Sequence, residues 1–228
     1  MIYNGVDSRT VGVFIQQMPA FLRPQRNKTF HQIAGRDGRL TQDNGGYDFY
    51  QTTMKINCNG QPLSKVYDWL SGDGWLISSE EPTRKVKVDL YYPIRNDAFR
   101  CDACYDTLTV TLYCQPYRYH KEDVIQTVTS SSSTLTNPGT ARSKPRLTIK
   151  GSGDAVVTLG LYQMDFEGLT NGIIVDAELM ECLSLDESQL LNNLAAMDEF
   201  PELKPGANTL AWTGNITEVK VEMRCRDL

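Results

Sequence analysis

The sequence predicts a mainly β protein. Aliphatic residues alternate with charged or polar residues in KVKVDLYY (85–92) and TLTVTLYC (107–114), as in strands with one buried and one wet face. Turn pairs such as Asn59-Gly60 and Asn171-Gly172 separate runs of this kind. Short strands with regular turn signals are typical of β-sandwiches and barrels.

The other strands follow from the same pattern. Each combines β-branched and aliphatic residues and is bounded by Gly, Pro, Asn or Asp. The predicted segments are 10–18, 146–153, 155–162, 172–183 and 218–224.

Two segments have helical spacing instead. In 62–74, Pro62 suits a helix start, and the apolar residues that follow it fall on one face. In 185–197, Asp186 and Gln189 resemble a capping box that precedes leucines at helical spacing. Both apolar stripes are expected to pack on a sheet.

The chain of 228 residues is long enough for one large all-β domain or for two modest ones. The stretch 126–145 is rich in Ser, Thr, Gly and Pro and has few large apolar residues, which is typical of a linker. We therefore expect an N-terminal domain over 1–125, a linker leading into the second domain over 126–145, and a C-terminal domain over 146–228.

Charge is distributed unevenly. Residues 1–125 carry 15 Lys and Arg against 14 Asp and Glu, whereas residues 126–228 carry 8 against 14. Such a back half repels nucleic acid, so no specific nucleic-acid binding is expected. Arg23, Arg26, Lys28, Arg36 and Arg39 cluster near aromatic residues, and the balanced charge of the first half favours a protein interface there. The spaced acidic ladder of an EF-hand is absent, so calcium is not expected.

Six cysteines occur in a chain whose first residues do not resemble a secretory signal, so we expect reduced thiols. Cys101 and Cys104 form a CxxC that could be half of a zinc site or a redox pair. A zinc site needs two further ligands, and Cys58 and Cys114 are available without forming a second CxxC. The loop-then-strand context favours ordinary buried or loop thiols. No apolar run is long enough for a membrane span.

Catalytic motifs are scarce. His31 and His120 are the only histidines, and the sequence contains neither HExxH nor GxSxG. Asp165 and Glu167 share a face of a predicted strand and could pose as a glycosidase pair, but paired acids on a wet strand face are common. We predict no enzyme, cofactor or metal site.

The segment HQIAGRDGRL (31–40) contains neither phosphate-loop spacing nor a following helix pattern. Asp37-Gly38 instead predicts a two-residue hairpin turn, with Arg36 and Arg39 in the flanking strands.

The order of segments resembles the distal tail protein family of long-tailed phages and prophages. The resemblance rests on GVDSRTVGVFI, the GRDG hairpin, PLSKVYDWLSGDGWL, SSEEPTRKVKVDL and TLYCQPYRY. It continues through NPGTARSKPRLTIKGSGDAVVTL and MDEFPELKPGANTLAWTGNITEVKVEMRCRDL. Each motif is weak alone, and their order across the whole chain carries the resemblance.

The resemblance implies a β-rich N-terminal belt domain with one short α-helix, which forms a hexameric ring, followed by a galectin-like β-sandwich. Such a ring joins the tail tube protein to a tail-associated fibre or lysin protein, holds receptor-binding or baseplate proteins, and leaves a central channel for the genome. In this ring, Arg36, Asp37, Gly38 and Arg39 are the predicted oligomer or tube interface. It implies a virion protein at the distal end of the tail, assembled in the bacterial cytoplasm, without membrane insertion.

A carbohydrate-binding adsorption module is the alternative. Trp212 lies among polar residues and could stack on a sugar, or the acidic loops could bind a sugar through calcium. No histidine follows residue 125, so a galectin-type sugar site is not expected.

Overall fold

The computed structural model describes residues 1–91, 93–96 and 107–228. The chain divides into two compact units. Residues 1–121 and 228 form the first unit, and residues 122–227 form the second. Mainly antiparallel β structure fills both, which confirms the predicted fold class.

The elements of the first unit are short apart from one strand. They are β1 (Ile2–Tyr3), β2 (Val6–Asp7), α1 (Ser8–Val11), β3 (Phe14–Gln17), β4 (Arg26–His31), β5 (Leu40–Tyr47), β6 (Tyr50–Asn57), α2 (Leu63–Trp69), β7 (Gly74–Ile77), β8 (Arg84–Asp89), β9 (Arg95–Asn96) and β10 (Thr107–His120).

The main sheet of the first unit runs in the order β2-β1-β7-β8-β10-β6-β3, and β9 also pairs with β10. The alternation predicted for β8 and β10 is confirmed, because Val86, Val88, Leu108, Val110 and Leu112 are all buried. These aliphatic side chains form the centre of the core, and α2 contributes Val66 and Trp69 to it.

The helix predicted within 62–74 is confirmed as α2, with Pro62 as its N-cap residue. The resemblance implies one short helix in this domain, whereas the structure has a second helix of about one turn before α2. Residues 8–11 form α1, although 10 and 11 belong to the predicted strand 10–18. The Asp7 carboxylate accepts a hydrogen bond from the Arg9 amide, and Gly12 ends the helix in the left-handed region. Local capping therefore overrides the strand pattern at this point.

The second unit contains two long strands and several short ones. They are β11 (Ile125–Val128), β12 (Ser133–Asn137), β13 (Arg146–Leu159), β14 (Tyr162–Leu169), β15 (Gly172–Asp176), β16 (Glu181–Leu183), a 3-10 turn (Asn192–Leu194), β17 (Ala195–Ala196), β18 (Gly206–Glu222) and β19 (Arg226–Asp227).

Strands β13 and β18 organise the second unit. They pair along almost their whole length, and register shifts at Lys150/Gly151 and Ser152/Ala155 bend the pair. Strand β13 pairs with β15 before this bend and with β14 after it. The curled sheet encloses one core, which includes Leu147, Ile149 and Phe166.

Two segments of the second unit differ from the sequence predictions. Part of the expected linker 126–145 forms β11 and β12, and Val128 and Leu135 are buried in the core. A few apolar residues alternating with Ser and Thr are enough for half-buried strands.

The helix predicted at 185–197 is wrong. The Asp186 carboxylate accepts hydrogen bonds from the Ser184 and Ser188 hydroxyls, and a bridge joins Leu183 to Leu190. Such local side-chain bonds compete with helix formation, so a closed loop and a 3-10 turn replace the helix.

A buried ion pair closes one end of the second unit. The Arg224 guanidinium donates two hydrogen bonds of 2.7 Å to the Asp176 carboxylate, whose side chain is 2% exposed. Burial alone would raise the pKa of Asp176. The bonds from Arg224 and from the Leu179 amide outweigh burial and lower that pKa.

Candidate assembly interface

The first unit carries a projecting hairpin, which we call the arm (residues 26–47). Strands β4 and β5 pair only with each other and form a separate two-stranded sheet. Every residue of β4 is exposed, and so is every residue of β5 except Tyr47. An isolated two-stranded hairpin is marginally stable in water, so the arm has the properties of a segment that acquires a partner.

The base of the arm is held by charge and ring contacts. The Asp43 carboxylate lies 2.6 Å from the Arg26 side chain, whose guanidinium lies 5.6 Å from the centre of the Tyr47 ring. Tyr47 in turn meets Tyr117 of β10 edge to face, with ring centres 6.1 Å apart. The arm therefore leaves the main sheet from an aromatic anchor.

The tip of the arm differs from the predicted two-residue turn. The strands end at His31 and resume at Leu40, so an eight-residue loop, 32–39, connects them. The Arg36 amide donates to the Ile33 carbonyl at 3.2 Å, with Gly35 at φ +79°. Positive φ at the third turn position belongs to a type II turn, so Gly35 makes the tight turn.

Asp37 and Gly38 form a bend beside this turn. Gly38 has φ +76°, but Asp37 is not in the left-handed region. The predicted turn therefore fails, since a type I′ turn needs positive φ at both central residues. Arg36 and Arg39 lie in the loop and not in the strands.

The two faces of the arm have different chemistry. Lys28 pairs with Asp43 and Phe30 with Thr41 on one face, and the Arg39 guanidinium lies 3.6 Å from the centre of the Phe30 ring. The opposite face has hydroxyl and amide groups: the Asn44 amide donates to Thr29 at 2.6 Å and to Asn27 at 3.1 Å. One face is thus cationic and aromatic, and the other is neutral and polar.

All four predicted interface residues, Arg36, Asp37, Gly38 and Arg39, lie together in the exposed tip loop. Phe30, Ile33 and Leu40 are 44–46% exposed beside them. The tip therefore combines guanidinium groups with unburied apolar surface. That it contacts another subunit or the tube stays a prediction.

A second concave feature of the first unit is the acidic–aromatic pocket, which has a volume of about 450 Å³. Seven of the described residues line it: Phe49, Asp73, Asp89, Leu90, Tyr91, Tyr113 and Gln115.

The pocket is built by adjacent strands. Tyr113 of β10 is the register partner of Asp89 of β8, so both side chains lie on one face of the sheet. The Phe49 ring tilts against Tyr113 at 5.7 Å between centres. Phe49 and Tyr91 are 61% and 81% exposed, an unusual exposure for two large rings that line one pocket.

Two carboxylates give this pocket a negative field. Burial, the charge of Asp73 and the charge of Asp89 raise the pKa of Tyr3 to about 12, against the lowering effect of Asn4. The Gln115 amide donates to Asp89 at 3.3 Å. Among the residues that the structure describes, no ion pair includes Asp73 or Asp89.

Sequence reasoning did not find this pocket. Its side chains come from the end of the arm, the turn after α2, the end of β8 and the middle of β10. Only pairing of β8 with β10 brings these elements together. The exposed aromatic residues that follow strands, Phe49 and Tyr91, were the one available signal.

Other sequence candidates lie apart from the arm tip and pocket. Asp165 and Glu167 are on β14, and the Gln163 amide donates to Asp165 at 2.9 Å. Trp212 packs against the core of the second unit. His31 is the last residue of β4, and His120 is the last residue of β10.

Four of the six cysteines lie in the described parts of the chain. Cys58, Cys114, Cys182 and Cys225 are buried thiols, and burial raises the pKa of Cys114 to about 12. The CxxC of Cys101 and Cys104 lies outside the described residues. Within ranges 1–91, 93–96 and 107–228, no group of three or more His, Cys, Asp or Glu is placed to hold a metal ion.

None of the helices in the described ranges is long and apolar enough to cross a membrane.

The whole chain is similar in fold to one solved phage protein. The SPP1 Dit protein (gp 19.1), described as a paradigm of the hub adsorption apparatus in phages that infect Gram-positive bacteria, superposes with a TM-score of 0.70. The match covers 97% of each chain at 18% sequence identity. No protein-family profile and no curated protein sequence matches the chain. The similarity therefore establishes a shared fold.

Proposed function

We propose that this chain is a structural distal tail protein of a long-tailed phage or prophage. It forms a hexameric ring that joins the tail tube to the tail tip and adsorption proteins, with a central channel for the genome. The observation that carries the proposal is the full-length match of both units to SPP1 Dit, a hub adsorption protein. A match to one unit alone would support only a common β domain.

The arm supports a role in assembly. It exposes Phe30, Ile33 and Leu40 next to arginines, a combination that is enriched where proteins meet other proteins. A partner surface would bury these side chains and stabilise an otherwise marginal hairpin. In this proposal the first unit is the ring-forming belt domain, and the tip residues Arg36, Asp37, Gly38 and Arg39 contact another subunit or the tube.

The second unit has the opposite role in the proposal. As a galectin-like β-sandwich, it faces outward and holds receptor-binding or baseplate proteins, while a tail-associated fibre or lysin docks on the ring. Residues 122–227 carry 8 basic against 16 acidic residues, which suits a surface that meets proteins rather than the genome. The protein would be assembled in the bacterial cytoplasm and reside in the virion.

We infer that the role is structural and not catalytic. Asp165 already accepts hydrogen bonds from the Gln163 amide, and neither Asp165 nor Glu167 lines the acidic–aromatic pocket. Release of peptidoglycan fragments by the purified chain, lost on Glu167→Gln substitution, would contradict this inference.

In the carbohydrate-binding alternative the stacking residue would be Trp212, which is half-buried and packs against the core. A polar cavity of about 450 Å³ does exist in the second unit, lined by residues that include Asn171, Ser184, Asp186 and Gln189. Saturable binding of the isolated chain to host cell walls, abolished by Asn171→Ala with the fold intact, would favour this alternative.

The ring itself is tested by negative-stain microscopy of the purified chain, alone and mixed with the tail tube protein of the same phage or prophage. We expect closed rings with a central hole that cap the ends of tubes. Monomers at every concentration, with and without tube protein, would contradict the proposal.

A further inference from the structure

The acidic–aromatic pocket is suited to a cationic side chain. Aromatic faces attract a guanidinium or ammonium group, and carboxylates bind a guanidinium through charge-assisted hydrogen bonds. The pocket offers both, with Phe49 and Tyr91 largely exposed and two carboxylates that have no ion pair among the described residues. It is therefore built to receive Arg or Lys from outside the unit.

The tip of the arm offers such a side chain. Arg36 is exposed, and no hydrogen bond or ion pair of its guanidinium is found among the described residues, whereas Arg39 already stacks on Phe30. The tight turn at Gly35 joins the Arg36 amide to the Ile33 carbonyl, and the Ile33 side chain is exposed in the same loop. A loop that exposes both a guanidinium and an apolar side chain matches a pocket of carboxylates and aromatic rings.

The length of the arm decides whether its tip can reach the pocket of the same chain. The pocket includes Phe49, two residues after the arm ends at Tyr47. Strand β4 has six residues, so the arm extends about 20 Å before its tip loop begins. Its pairs run from Arg26 with Tyr47 to His31 with Leu40, so the arm stays extended and its tip lies far from its own pocket.

We propose that Arg36 of one copy inserts into the acidic–aromatic pocket of a second copy, between Asp73 and Asp89. This rests on the proposed function, because it names the contact between neighbouring subunits of the ring. Each copy carries one tip and one pocket, and in the proposed ring the contact repeats head-to-tail from copy to copy. Head-to-tail contacts close into a ring when the rotation between copies allows it.

Charge exchange tests the contact. Arg36→Glu and Asp73→Lys should each weaken self-association of the full chain by about tenfold or more. The double variant restores opposite charges between copies and should associate about tenfold more tightly than either single variant. Lys65→Glu and Asp68→Lys, both exposed on α2, make the same charge changes and should associate like the unmodified chain. Sedimentation velocity across a concentration series measures the self-association of all five variants and of the unmodified chain.

Cross-linking provides an independent readout. Arg36→Cys and Asp73→Cys in one chain should give covalent multimers with a bismaleimide spacer of roughly 10 Å, since an arginine–carboxylate contact holds the backbones too far apart for a direct disulfide. The two variants that carry only one added cysteine control for the six native thiols, and neither should give such a ladder.

The outcomes separate the inference from the proposed function. Rings that persist in Arg36→Glu and Asp73→Lys, with no ladder between the cysteines, would overturn this contact and leave the ring proposal standing. Failure of the unmodified chain to associate, alone or with tube protein, would overturn both. Loss of tube binding with unchanged self-association would assign the pocket to the tube protein and overturn the second copy as its occupant.

Discussion

The two units bury similar cores but present different surfaces. In both, antiparallel strands enclose fully buried aliphatic side chains such as Val110 and Val157. The first unit also extends an arm whose apolar residues stay exposed, and residues 1–121 carry 15 basic against 12 acidic residues. The second unit curls around two long strands and carries a strong excess of acids.

This difference separates stability from assembly. The second unit pairs its longest strands along their length and closes one end with the ion pair of Asp176 and Arg224. The arm of the first unit contributes little to either core, because its side chains face solvent. Substitutions in the second unit should therefore change stability, whereas substitutions in the arm should change association.

The largest stability effect is expected at Phe166, which is 2% exposed in the second core. Phe166→Ala should lower the free energy of unfolding of the second unit by about 3–5 kcal/mol, because it removes buried ring contacts and leaves a cavity. Hydrogen exchange followed by mass spectrometry would resolve the two units. Phe30→Ala in the arm is the matched control, with an expected change within about 0.5 kcal/mol. Equal losses of unfolding free energy in both variants would contradict the distinction between a stabilising core and an arm that serves association.

A smaller effect is expected at the buried ion pair. Arg224→Gln should destabilise the second unit by about 3 kcal/mol, because Asp176 would keep a buried charge without its partner. Lys150→Gln breaks the exposed pair with Glu218 and should cost less than about 1 kcal/mol. Chemical denaturation of both variants measures the contrast, and similar midpoints would show that burial of Asp176 has no energetic weight.

The smallest effect is a difference in pH dependence. The pKa of Asp176 is lowered by folding, so its contribution to stability is present at neutral pH and is lost as pH falls through and below the ordinary carboxyl range. The pKa of Tyr3 is raised to about 12, so its contribution is present below the ordinary tyrosine pKa and is lost as pH rises toward 12.

Stability measured against pH should therefore decline in acid through the second unit and in alkali through the first. Tyr3→Phe should flatten part of the alkaline decline, whereas Tyr67→Phe, at an exposed tyrosine, should not. An acid decline that is unchanged by Asp176→Asn would refute the assignment to that carboxylate.

Most strands could be predicted from the sequence because burial imposes a period of two on one-sided strands. Strands β8 and β10 follow this pattern, and α2 follows its proline and helical spacing. The pattern says nothing about strand order. It therefore could not reveal that β13 and β18 run together or that β8 lies beside β10.

The failures have local physical causes. At 185–197, leucines at helical spacing lost to side-chain bonds around Asp186. At the arm tip, a hairpin was correctly predicted, but Gly35 rather than Gly38 makes the tight turn, and Arg36 and Arg39 lie in the loop instead of the strands. Two glycines three residues apart offer alternative turns, and sequence alone does not choose between them.

The central claim is that association depends on the arm, whereas each core folds without it. Native mass spectrometry of the unmodified chain and of a variant with residues 29–41 replaced by a short Gly-Ser turn tests it most directly. We predict a closed hexameric species for the unmodified chain, and monomers with unchanged hydrogen-exchange protection in both cores for the shortened variant. A shortened variant that still assembles into the same closed species would contradict the account.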